Sequence, residues 1–109
     1  MLRRSELPSD PVLRRFRAAL NAAYGKRVDR AILFGSRARG DAQPDSDYDI
    51  AVFLHDYGRL WAELQPLGRL TTDILLDTGA VISALPFPAA DCSRRTMLMG
   101  EIRREGIDI

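Results

Sequence analysis

The sequence predicts an α+β fold, a small mixed β-sheet with helices packed against it. Three observations carry this. Apolar residues recur at helical spacing near the N-terminus, at Val12, Phe16, Ala19, Leu20 and Ala23. Val28 to Phe34 ends in a nearly continuous apolar run, which marks a central strand. The polar link from Asp41 to Ser46, which holds Pro44, is short for a parallel crossover, so the strands it joins run antiparallel.

The elements follow in order. Residues 1–8 read as a loose terminus. Asp10 before Pro11 is a helix start, with Asp10 as N-cap and proline in the first helical position. Gly25 closes that helix. Ile50 to Leu54 completes the second strand. Tyr57 to Asp77 reads as helical, with Leu60, Leu64, Leu67, Thr71, Ile74 and Leu75 as its inner face. Pro66 either kinks it or begins a new helix. Ala80 to Phe87 forms a third strand, closed by Pro86 and Pro88. Ala89 to Glu105 reads as a last helix, ending at Gly106. No repeat or linker divides the chain, so its 109 residues are expected to form a single domain.

The composition is that of an ordinary globular protein, 46% hydrophobic and 28% charged. No apolar run is long enough to span a bilayer, and the basic N-terminus lacks a signal-peptide core. A single cysteine, Cys92, excludes an internal disulfide and points to a reducing cytoplasm. The net charge of +1 conceals a split: residues 1–40 carry ten basic against three acidic residues, and residues 41–80 two against eight. A basic start beside an acidic middle suits a phosphate-facing and a metal-facing half, and argues against direct nucleic-acid binding.

The chemistry concentrates between Leu33 and Leu54. Gly35 lets the backbone approach a ligand closely. A helical turn starting at Ser36 aims free N–H groups at an anion, and the Ser36 hydroxyl can donate to a phosphate oxygen. Arg37 and Arg39 add positive charge beside it. Asp47 and Asp49 lie two apart, so in a strand both carboxylates leave one face while Tyr48, Ile50 and Val52 point to a core. Neighbouring carboxylates repel. A divalent cation relieves that, and hard oxygen ligands with room for water and phosphate suit Mg²⁺.

Gly35-Ser36, ten intervening residues, then Asp47-Tyr48-Asp49 resembles the signature of the polymerase-beta-like nucleotidyltransferases. The wording Gly-Ser-Arg-Ala-Arg-Gly followed by Asp-Ser-Asp-Tyr-Asp is similar to their small prokaryotic branch, the minimal nucleotidyltransferase (MNT) proteins. The resemblance implies an MNT-type antitoxin that transfers AMP from ATP to a tyrosine of a HEPN-type toxin, with which it could form a hetero-oligomer. It also implies that Asp47 and Asp49 hold Mg²⁺ while Gly35, Ser36, Arg37 and Arg39 bind the triphosphate. Active members carry a third carboxylate on the strand after the long helix. Here Ser83 is the only polar side chain on Ala80 to Leu85. Asp73 takes that catalytic role only if residues 73–76 are a strand; a helical reading makes it a solvated surface residue. The missing acid keeps open a second class, a catalytically weak or inactive module that neutralises its toxin by binding it.

Other residues receive plainer readings. His55 is a solvated residue at a strand end, Trp61 covers an edge of the core, and Cys92 is a small helix residue. Met97 and Met99 belong to the core or to a partner surface, and Arg94, Arg95, Arg103 and Arg104 form a solvated helix face.

Overall fold

A computed structural model describes residues 10–109, so the loose terminus expected at residues 1–8 lies outside the described residues. At its start the Asp10 carboxylate accepts the Val12 and Leu13 amides at 2.9 and 3.3 Å. This caps helix α1 (Pro11–Tyr24), as its Asp-Pro start implies. The helix buries Leu13, Phe16, Leu20 and Tyr24, while Val12 and Ala19 pack at the margin and Ala23 is exposed.

Strand β1 (Val28–Phe34) follows, then the single-turn helix α2 (Ser36–Arg39) and strand β2 (Tyr48–Leu54). β1 and β2 pair antiparallel, with Phe34 opposite Asp49. Helix α3 (Leu60–Thr78) carries the chain back so that β3 (Ile82–Pro88) lies parallel to β2. After a 3₁₀ turn at Ala89–Ser93 come helix α4 (Met97–Glu105) and the two-residue strand β4 (Ile107–Asp108). β4 pairs antiparallel with β1, giving the order β3-β2-β1-β4. The sheet is therefore mixed, and β1 is interior, as its apolar run implies.

Alternation along β2 divides its side chains between two cores. Tyr48, Ile50, Val52 and Leu54 join Phe16, Leu20, Leu67 and Ile74 from α1 and α3. Ala51 and Phe53 join Ile32, Met99 and Ile102, so α4 covers the opposite face. The Phe53 and Phe87 rings stack at 5.6 Å between centroids.

Pro66 lies inside α3, so no new helix begins there. Three expectations need correction. The buried stripe of α3 is Glu63, Leu67, Leu70 and Ile74, leaving Leu60 and Leu75 exposed. Glu63 belongs there because its charge is met by Arg27, and the carboxylate oxygen that Arg27 bonds also accepts the Gly58 amide at 3.4 Å. A buried glutamate inside the apolar stripe shifts the helical phase away from the one leucines alone suggest. Trp61, the second residue of α3, is 72% exposed and covers no core edge. Finally, the last helix does not begin at Ala89. Thr96 caps it, accepting the Met99 amide at 3.1 Å, so Met99 is buried and Met97 stands in solvent.

Candidate nucleotide and metal site

The turn between β1 and α2 is built on Gly35. Its φ of 74° and ψ of −157° fall in a region essentially reserved for glycine. Its face lies directly against the Asp49 carboxylate, and a β-carbon at position 35 would collide with Oδ2 of that side chain. Close approach and positive φ are thus required at one residue. The Gly35 carbonyl accepts the Ala38 and Arg39 amides at 3.1 and 3.0 Å. Helical geometry leaves the Ser36 and Arg37 N–H groups at the open end. The turn and the second aspartate, fourteen residues apart, are therefore adjacent.

Asp47 is exposed just before β2, and Asp49 is half-buried at its start. Burial holds the Asp49 carboxyl above the usual aspartate range, and the Asp47 charge pushes it further up; Arg39 opposes this, while Glu101 adds to it. Tyr48 between them faces the α1–α3 core, and its hydroxyl donates to Asp10 at 3.0 Å. The α1 cap thereby also fixes the start of β2.

The two arginines of the turn have different surroundings. Arg37 donates to the carbonyls of Ser46 and Pro44 at 2.9 and 3.1 Å, and its guanidinium lies 4.0 Å from the centre of the Tyr48 ring. It staples the Asp41–Ser46 loop. Arg39 bonds Asp41 and Glu105, each at 3.2 Å, while its charge still reaches Asp49. Both arms are exposed, so these pairs are weak and exchangeable.

Asp73 is in α3, exposed and between two surface grooves, the smaller about 430 Å³ and shared with Arg15 of α1. α3 packs on the face of the sheet opposite Asp49. Asp73 is therefore not a third carboxylate of this site, because residues 73–76 are helical. β3 places Ser83 beside Asp49, in register and on the same face. Among the described residues no three His, Cys, Asp or Glu side chains cluster tightly enough to hold a metal by themselves. His55 pairs with Asp29 at 3.3 Å at the end of β2. Glu101 and Glu105 lie four apart on α4, a same-face carboxylate pair that the surrounding arginines hide in the sequence. No helix among the described residues is long and apolar enough to cross a membrane.

Residues 20–84 match the family model described as polymerase beta, nucleotidyltransferase. Two proteins of Methanocaldococcus jannaschii, both carrying the name protein adenylyltransferase, are similar. MJ0604 is 36% identical over 76 residues, which is 70% of each chain. MJ0141 is 24% identical over 98 residues, 90% of this chain and 95% of its own. A solved minimal nucleotidyltransferase superposes with a TM-score of 0.59 at 25% identity, covering 88% of this chain and 90% of that one. A toxin–antitoxin structure with AMP-PNP superposes at 0.61 and 20% identity, over 85% of this chain and 68% of that one, a likeness of fold.

Proposed function

The chain belongs to the polymerase beta nucleotidyltransferase family, as a minimal nucleotidyltransferase, and from that premise we propose that it is the antitoxin of a toxin–antitoxin pair, transferring AMP from ATP to its toxin. The observation that carries this reading is the contact of Gly35 with Asp49, which sets the glycine turn before α2 against the start of the strand that follows Asp47. The names of the adenylyltransferase relatives and of the toxin–antitoxin neighbour support it.

The donor set fits Mg²⁺: two oxygen-bearing side chains whose mutual repulsion has little local relief, open to water and phosphate. Asp47 and Asp49 would hold the ion. When bound, it supplies charge neutralisation for the phosphates and for charge developing during transfer. The Ser36 hydroxyl and the open N–H groups of α2 bind phosphate oxygens. The exposed Arg39 guanidinium exchanges its partners Asp41 and Glu105 for the triphosphate, adding charge beside it. The acceptor oxygen, from a tyrosine of a HEPN-type toxin, bonds to the α-phosphorus. Pyrophosphate leaves, and the hydroxyl proton passes to a base. Antitoxin and toxin form a hetero-oligomer.

A second reading is favoured by one residue. Ser83 stands beside Asp49 where an acid would complete the site, as suits a module that neutralises its toxin by covering it. Calorimetry with ATP, with and without Mg²⁺, tests the site that the first reading requires. ATP affinity falls on magnesium removal and in Asp49→Asn. Equal affinity with and without the metal overturns the assignment.

A further inference from the structure

β3 brings no acid to Asp49, but α4 does. The helix lies over the sheet face that Asp49 shares with Ala51 and Phe53, pinned there by Met99 and Ile102. On one flank of that buried stripe Arg103 turns away, donating to the carbonyls of Cys92 and Arg94 at 2.7 and 2.9 Å. On the other flank, Glu105 reaches Arg39 at 3.2 Å, at the edge of the nucleotide turn. Glu101 is one turn earlier on this same flank. It is half-buried and close enough to Asp49 for its charge to be felt there. It has no cationic partner among the described residues, whereas Glu105 does.

We propose that Glu101 is the third acidic residue of the nucleotide site, supplied by α4 across the sheet face instead of by β3. Its carboxylate is too far from the aspartate pair to close a three-ligand cage. It therefore works at one remove, accepting hydrogen bonds from water on the cation that Asp47 and Asp49 hold. Mg²⁺ keeps several waters, so such an acceptor has a defined task. Glu101 is then a positioning residue, and α4 is part of the site as well as a cover for the core. The inference rests on the nucleotide-site reading above.

The test is ATP titration at stepped Mg²⁺ concentrations, with thermal melts in parallel, on wild type, Glu101→Gln, Glu101→Asp, Glu105→Gln and Asp49→Asn. Glu101→Gln keeps shape and fold but raises the Mg²⁺ needed for half-maximal ATP affinity roughly tenfold or more, the usual cost of losing a residue that supports a ligand. Glu101→Asp recovers part of the loss. Glu105→Gln leaves the Mg²⁺ requirement unchanged. If Glu101→Gln matches wild type while Asp49→Asn loses its Mg²⁺ dependence, the site stands and the role of Glu101 is refuted. If Asp49→Asn keeps that dependence, the nucleotide-site reading fails first and this inference falls with it.

Discussion

Replacing Gly35 by alanine tests the architecture of the site with a single methyl group. Two penalties separate cleanly. The backbone penalty comes from φ 74° and ψ −157°, a region where an L-residue costs about 1–3 kcal/mol. The contact penalty comes from Asp49, whose Oδ2 and Cγ occupy the space the methyl needs. Gly40 isolates the first of these. It has φ 86° and ψ 12°, yet a β-carbon there meets nothing within 4 Å. Gly40→Ala should therefore cost only the left-handed strain, about 1–2 kcal/mol. Gly35→Ala should cost more, of order 2–4 kcal/mol once the carboxylate must move. At about 4 °C per kcal/mol for a domain of this size, melting points should fall by roughly 4–8 °C and 8–16 °C respectively. Circular dichroism melts measure both, and calorimetry reads ATP·Mg²⁺ affinity. Affinity should collapse in Gly35→Ala and fall little in Gly40→Ala. If the two variants are equally mild in both measurements, the turn does not press on Asp49 and the reasoning is wrong.

Three further outcomes are expected. Asp49→Asn should raise the melting point of the metal-free protein near neutral pH. Burial and Asp47 lift the folded carboxyl above its unfolded value, so wild-type stability is greatest below the unfolded value and declines as pH rises through the folded one. The advantage of the variant should thus vanish in acid; an advantage that persists there argues against titration of Asp49. Ser83→Asp puts an acid in register with Asp49, so melts should show lower stability without Mg²⁺ and a larger recovery with it than wild type shows. Equal recovery would mean that position 83 does not reach the site. Arg37→Ala should cost about 1–3 kcal/mol through loss of two carbonyl bonds and the Tyr48 contact, with increased proteolysis at residues 41–46. A nucleotide defect with no change in stability or proteolysis would instead assign Arg37 to phosphate binding.

What the sequence made legible was local or periodic. Asp10-Pro11 announces a capped helix because both residues act within one turn. Gly35-Ser36 and Asp47-Tyr48-Asp49 announce a site because glycine freedom and strand alternation are short-range rules. The rest depends on which element lands on which. The stripe of α3 is displaced because Arg27, thirty-six residues earlier, makes Glu63 buriable. β4 is only two residues, too brief for any periodicity, and exists through its pairing with Ile32 and Leu33. Arg37 carries the charge that phosphate sites use, yet nothing local reveals that Pro44 and Ser46 turn their carbonyls toward it. Glu101 shares a sheet face with Asp49 only because α4 crosses the sheet, and spacing within one helix cannot disclose that.

The most direct measurement of nucleotidyl transfer is intact-mass spectrometry of the cognate toxin after incubation with this protein, ATP and Mg²⁺. The toxin should gain the mass of an AMP group on a tyrosine, and the gain should disappear when Asp47→Asn, Asp49→Asn or Gly35→Ala replaces the wild type. An unmodified toxin that the wild-type protein nonetheless silences would contradict transfer and leave binding alone as its mode of action.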